Sequence, residues 1–293
     1  MKEGSRKWAH PLGRVGQRQE RCFLVYALCF LIAETASGQW QNFPARSQAM
    51  GGAGLCFQHP EALWMNPAAL VAVPSPFMSA TANQPFLLPE LGIYSAGAAW
   101  PFAHDAWGVS TTYTGYDAFN QKKVALAYSR RITTAVSLGI QLDYFHTSVQ
   151  EYGSSGTLTG EVGLLVAFSS QLHLGATLFN PYPVGWGFGG QKVPTIMRIG
   201  LGYQPASIVQ LATEVEKDID QPARIRLGVE YQAAPVLWLR AGLFTNPATA
   251  CAGAGLRTGP LRLDFAVQYH QLLGPGPSAT LVYAFAQKEK TKH

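Results

Sequence analysis

The stretch closest to the C-terminus, Ser278-Ala279-Thr280-Leu281-Val282-Tyr283-Ala284-Phe285, constrains the fold more than any other feature of the chain. Ala279, Leu281, Tyr283 and Phe285 fall on one face, and Ser278, Thr280, Val282 and Ala284 on the other, which is the period of a β-strand. A strand that crosses a membrane needs an apolar face toward lipid, an aromatic residue at the interface and small or polar residues toward a lumen. This stretch meets all three requirements. A soluble edge strand could carry the same pattern once, so the weight rests on its recurrence.

Period-two alternation predicts about 14 strands, near residues 77–83, 91–100, 106–114, 122–130, 134–145, 157–168, 171–180, 194–204, 208–216, 224–232, 236–244, 251–258, 261–269 and 278–286. An even number returns both ends of a barrel to the same side of the membrane. The links alternate as well. Arg131-Ile132-Thr133, Ser169-Ser170, Pro205-Ala206-Ser207, Ala233-Ala234-Pro235 and Gly259-Pro260 are short, whereas 115–121, 146–156, 181–193, 217–223 and 271–277 are longer. Short periplasmic turns alternating with longer extracellular loops is the asymmetry of a transmembrane barrel, and a soluble sandwich has no reason to keep it.

The faces of the later strands agree. Ile225, Leu227, Val229, Tyr231, Leu237, Leu239, Leu243, Leu261, Leu263, Phe265, Val267 and Tyr269 share the outward phase. The alternate positions hold arginine, acidic, glycine and alanine residues, which suits a crowded polar interior. The expected fold is therefore an all-β, closed antiparallel transmembrane barrel over residues 77–286, in contact with outer-membrane lipid. Low charged content (13%) with 30 glycines fits that class.

The N-terminus reads as an export signal. Lys2, Arg6, Lys7, Arg14, Arg18 and Arg21 precede an apolar run over 22–33, and Ala36-Ser37-Gly38 offers small residues for cleavage. The run is too short to span a bilayer as a helix. Leu28 before Cys29 and Arg21 before Cys22 do not suit a lipoprotein signal. Cleavage after Gly38 would remove six basic and three acidic residues and lower the net charge of +5 to about +2, so basicity is no argument for a nucleic-acid partner. Cys56 and Cys251 would remain, without metal-ligand spacing, and read as two small apolar side chains. The expected organisation is a signal at 1–38, a plug segment at 39–76, the barrel, and a periplasmic tail at 287–293.

The plug segment carries Ala45-Arg46, then Ala49-Met50-Gly51-Gly52-Ala53, then Ala62-Leu63-Trp64-Met65-Asn66-Pro67-Ala68. Pro60 suits the first turn of a short helix over 60–65, Glu61 complements its dipole, and Pro67 biases Asn66 out of helical geometry. In these motifs, with the strand count and the terminal strand, the chain resembles the FadL/PorV superfamily of outer-membrane proteins of Gram-negative bacteria. The resemblance implies a 14-stranded barrel with its plug inside the lumen. It implies uptake of hydrophobic compounds in the FadL branch and a role beside type IX secretion partners in the PorV branch. Arg46, Gly51, Gly52, Asn66 and Pro67 are the plug residues it singles out.

No catalytic constellation stands out, no metal site is expected, and no cofactor is implied. The histidines are scattered, and Ser154-Ser155 and Ser169-Ser170 fall in expected turns without a recognisable base. The strongest polar signal is the hairpin Glu214-Val215-Glu216 and Arg224-Ile225-Arg226, whose four charges share the inward face. With Asp143, Glu161, Arg198, Glu230, Arg240, Arg257, Arg262 and Asp264 they are expected to brace the wall and hold the plug. A charged lumen and short loops favour a plugged structural or secretion-associated subunit with a protein partner. A FadL-like channel for hydrophobic compounds is the alternative.

Overall fold

The computed structural model describes residues 43–185 and 192–286. The export signal, residues 39–42 of the plug segment and the tail at 287–293 lie outside the described residues.

The chain forms a closed barrel of 14 antiparallel strands, each paired with its sequence neighbours. They are β1 (Phe77–Asn83), β2 (Ile93–Pro101), β3 (Asp105–Tyr116), β4 (Phe119–Arg131), β5 (Val136–Val149), β6 (Gly153–Ala167), β7 (Leu172–Phe179), β8 (Ile196–Ala206), β9 (Val209–Asp218), β10 (Arg224–Ala234), β11 (Leu237–Phe244), β12 (Thr249–Thr258), β13 (Leu261–His270) and β14 (Gly274–Ala284). The seam closes where β1 pairs β14, from Phe77 opposite Ala284 to Asn83 opposite Ser278. Closure leaves no strand edge unpaired, the condition for a sheet in hydrocarbon.

The exterior is the apolar belt read from the alternation. Leu281, Tyr283 and Phe285 are exposed, whereas Ser278, Thr280 and Val282 are buried against the contents of the lumen. The outward residues of β10, β11 and β13 are likewise exposed, apart from the partly covered Leu237. On a water-soluble surface this much exposed leucine, isoleucine, valine and tyrosine would drive aggregation; facing lipid it is the ordinary exterior of an outer-membrane barrel.

One end of the barrel carries links at 102–104, 132–135, 168–171, 207–208, 235–236 and 259–260. At the tightest of these, Gly259 takes a left-handed φ of 58° ahead of Pro260, a conformation that costs glycine little. The other end departs from expectation. Three of its loops shrink to residues 117–118, 150–152 and 271–273, because β3, β4, β5, β6 and β14 extend through the segments read as loops. The added residues include Asn120, Gln121, Thr147, Ser148, Ser154 and Ser155, polar on both faces, so the apolar alternation stops while the backbone ladder continues. Backbone groups pair whether or not the side chains face lipid, and long hairpins result in place of loops. The longer links at this end, 84–92, 180–195, 219–223 and 245–248, keep part of the expected asymmetry. By that asymmetry the first end is assigned to the periplasm and the second to the cell exterior.

Candidate functional site in the hatched lumen

Residues 43–73 run through the lumen as a hatch, in three short helices: α1 (Ala45–Ala49), α2 (Ala62–Met65) and a 3-10 helix (Pro67–Ala72). The helix expected over 60–65 begins two residues later, at Ala62. Asn66 is more than a stop. Its Oδ1 accepts from Ala68 N at 3.0 Å and caps the 3-10 helix that begins at Pro67, while its Nδ2 donates to Leu55 O and Leu164 O, each at 3.0 Å. Asparagine supplies both an acceptor and a donor here, so one side chain ties two parts of the hatch to β6. Helix α1 carried no local signal strong enough to be expected from sequence.

The hatch meets two different walls. Helix α1 packs against β11–β14, whereas α2 and the 3-10 helix pack against β2–β6. On the first side lies the charged network. Arg46, 2% exposed, donates from Nε and Nη2 to the two oxygens of Glu230, both at 2.7 Å, and from Nη2 to Gln210 Oε1 at 2.9 Å. It also reaches Glu61 Oε2 at 3.2 Å, and its guanidinium lies over the Phe57 ring. Glu61 sits at the N-cap position of α2 but makes no side-chain capping hydrogen bond; its partners are Arg46 and Arg262. Arg240 joins Glu230 to Asp264, with 2.7 Å to Asp264 Oδ1, and Arg262 Nε reaches Asp264 Oδ2 at 2.8 Å. The chain Glu61–Arg262–Asp264–Arg240–Glu230–Arg46 thus closes on itself through the hatch.

The glycine segment is held by a second part of the network. Arg226 Nη1 donates to Gly51 O at 3.0 Å, and Arg198 Nη2 donates to Gly52 O at 2.9 Å. Glu214 accepts from Leu55 N at 2.7 Å and from Gly54 N, and its other oxygen takes Arg198 at 2.6 Å. Glu216 pairs with both Arg224 and Arg226 at 2.9 Å. The hairpin is therefore braced, but through Glu216. Register places Glu214 opposite Arg226, yet Glu214 turns to the hatch backbone. Gly51 and Gly52 adopt left-handed φ values of 71° and 78°. A Cβ on Gly51 would come within 2.6 Å of Leu243 O, so only glycine lets the hatch backbone approach this wall.

The second wall is different in kind. Leu63 and Leu70 of the hatch pack with Phe77, Ala99, Ala106, Ala127 and Val282. β1–β3 turn Ser79, Thr81, Ser95, Gly97, Gly108 and Ser110 inward, all small and uncharged. Asp143 and Glu161, expected in the same network as the hairpin, stand apart from it. Asp143 pairs with Lys123 at 3.0 Å and with Gln141 at 2.9 Å, on β4 and β5. Cys56 and Cys251 are buried and unpaired, and burial, followed by Glu214, pushes the Cys56 thiol up to about 12. Among the described residues no group of three or more His, Cys, Asp or Glu is placed to hold a metal ion.

No protein-family profile and no curated protein matches this sequence. Solved structures do match. CymD, a monoaromatic hydrocarbon channel, superposes with a TM-score of 0.68 at 13% identity, covering 84% of this chain and 98% of that one. The Ralstonia pickettii toluene transporter TbuX gives 0.68 at 13%, covering 84% and 99%. A Pseudomonas aeruginosa FadL homologue gives 0.65 at 12%, covering 83% and 98%. The fold is FadL-like. At such low identity the likeness speaks for the architecture of this FadL-like barrel, and its chemistry has to come from its own residues.

Proposed function

We propose that this FadL-like barrel passes small hydrophobic compounds across the outer membrane, with the hatch as its closed gate. The observation that carries the reading is the asymmetry of the lumen. The expectation of a charged lumen, which favoured a secretion-associated subunit, treated the interior as uniform. The main charged network lies on β8–β13, whereas β1–β3 present small uncharged residues to the two buried leucines of the hatch, Leu63 and Leu70. An apolar solute could pass along that arc without desolvating an ion. The extracellular rim above the same arc is apolar: Leu87 and Leu88 of the β1–β2 link and Leu272 and Leu273 of the β13–β14 turn are exposed, and Phe86 packs edge-on against His270 at 5.9 Å. Several fold neighbours are channels for toluene or monoaromatic hydrocarbons, which supports the same direction.

The test is uptake of radiolabelled toluene by cells carrying the protein in the outer membrane, against cells lacking it and against a hydrophilic sugar tracer. Faster uptake of toluene alone is expected. Equal uptake with and without the protein would return the reading to a subunit with a protein partner, which purification in mild detergent would then have to produce.

A further inference from the structure

At the periplasmic end, between the hatch and the wall of β8–β13, lies a cavity of about 240 Å³ lined by residues that include His59, Val209, Gln232, Trp238, Arg257 and Arg262. Three of its arginines, Arg46, Arg240 and Arg262, are matched by Glu61, Glu230 and Asp264. Arg257 is not. Among the described residues it forms no ion pair, and its guanidinium donates only to Gly259 O at 3.3 Å. Register sets it directly opposite Arg262 on the inward face. Like charges opposite one another across strands destabilise a sheet, and an anion between them removes that penalty. The rest of the lining does not suit a bare inorganic ion, since Trp238 and Val209 give apolar surface and the glutamines give neutral donors. Burial, with Arg46 and Arg262 close by, holds the His59 imidazole well below its ordinary pKa, so it faces the cavity as a neutral ring.

We propose that this vestibule binds a small organic monoanion, a carboxylate on an aromatic body. The carboxylate would be taken by Arg257 and Arg262 and the ring laid against Trp238. A cavity of about 150 Å³ accepts benzene, so the volume admits a ring and its carboxylate. The site lies on the periplasmic side of the hatch and does not depend on what the barrel transports.

The test is calorimetric titration of the full-length protein in detergent with benzoate, benzyl alcohol and inorganic phosphate. Benzoate should bind saturably and at least tenfold more tightly than the other two. Arg257→Gln should weaken benzoate about tenfold or more, the usual effect of losing a charge-assisted hydrogen bond. Arg257→Glu should abolish binding while facing Arg262 as an opposite charge, so heat-modifiable migration on a gel should show it folded. No saturable heat with benzoate, the same affinity in Arg257→Gln, or phosphate binding as tight as benzoate would each overturn the proposal. The last result would indicate a site for phosphate or a lipid headgroup.

Discussion

Replacing Arg46 with methionine removes the guanidinium at the junction of hatch and wall and leaves an aliphatic stem against Phe57. The change deletes a bidentate pair to Glu230 at 2.7 Å, a contact to Glu61 at 3.2 Å and a bond to Gln210 at 2.9 Å. Breaking a buried ion pair from one side costs about 3–5 kcal/mol, mostly because the surviving charge is left uncompensated. Here each carboxylate keeps one arginine, Arg240 on Glu230 and Arg262 on Glu61. The cost should therefore sit at the low end, about 3 kcal/mol. Every 1.4 kcal/mol is tenfold in an equilibrium constant, so the ratio of displaced to seated hatch should rise by roughly two decades. Conductance in planar bilayers reads that ratio directly, and urea denaturation of the vesicle-inserted barrel reads the stability. Glu230→Gln tests the mechanism through a double-mutant cycle, with an expected coupling of about 2 kcal/mol. If the two changes add to within about 0.5 kcal/mol, Arg46 does not hold the hatch through Glu230 and the latch reasoning fails.

Gly51→Ala should cost about 1–3 kcal/mol and raise conductance in the same assay, because alanine must take a left-handed φ of 71° and its Cβ would meet Leu243 O at 2.6 Å. A second expectation concerns pH. The seated hatch holds His59 neutral, whereas the displaced hatch protonates it below its ordinary value of 6.5, so the displaced state binds more protons and seating should weaken as pH falls below 6.5 and stay level above it. Denaturation midpoints between pH 5.5 and 7.5 should show the slope, and His59→Gln should flatten it. Topology can be read from whole-cell thiol labelling: Tyr182→Cys should react with an impermeant reagent and Ser169→Cys should not, and the reverse would invert the barrel.

The parts of the fold that were legible in the sequence are those where side-chain chemistry follows backbone geometry. β11 and β13 were read to within a residue because lipid enforces an alternating apolar face along their whole length. The tips of β3–β6 were missed because Gln121, Ser154 and Ser155 leave the apolar belt while still pairing in the ladder. At the hatch, Arg46, Gly51 and Asn66 stood out through their motifs, but not their partners. Glu230 lies 184 residues from Arg46, and alternation says only that it points inward. The side of the lumen it occupies was available in principle. Arg198, Glu214, Glu216, Arg224, Arg226, Glu230, Arg240, Arg262 and Asp264 all come from the run β8–β13, apart from β12. In a barrel whose strands pair in chain order, consecutive strands are one continuous arc of wall, so a cluster in sequence is a cluster in azimuth.

That arc explains why this lumen needs both kinds of wall. A glycine-rich segment crossing a lumen exposes backbone N–H and C=O groups that no helix or sheet satisfies, and each left unpaired is costly. Glu214, Arg198 and Arg226 answer Gly54, Leu55, Gly52 and Gly51 directly. Helix α2 and the 3-10 helix satisfy much of their own backbone, so the wall they face can be small and apolar. The two sides then differ in how they resist opening. Lifting the hatch from β8–β13 separates two buried ion pairs, Arg46–Glu230 and Glu61–Arg262, at about 3–5 kcal/mol each. Parting it from β1–β3 exposes Leu63 and Leu70, at about 1.5–3 kcal/mol each, and a hydrophobic solute entering the gap recovers that loss by covering the same surface. On the transport reading proposed above, the charged side would act as the hinge and the apolar side as the lip, and an apolar compound would lower the cost of opening where a polar one does not. Leu63→Ser should separate the two sides. It should raise the resting leak while leaving the Arg46–Glu230 coupling unchanged, whereas a drop in that coupling would mean the hatch moves as a block and has no lip.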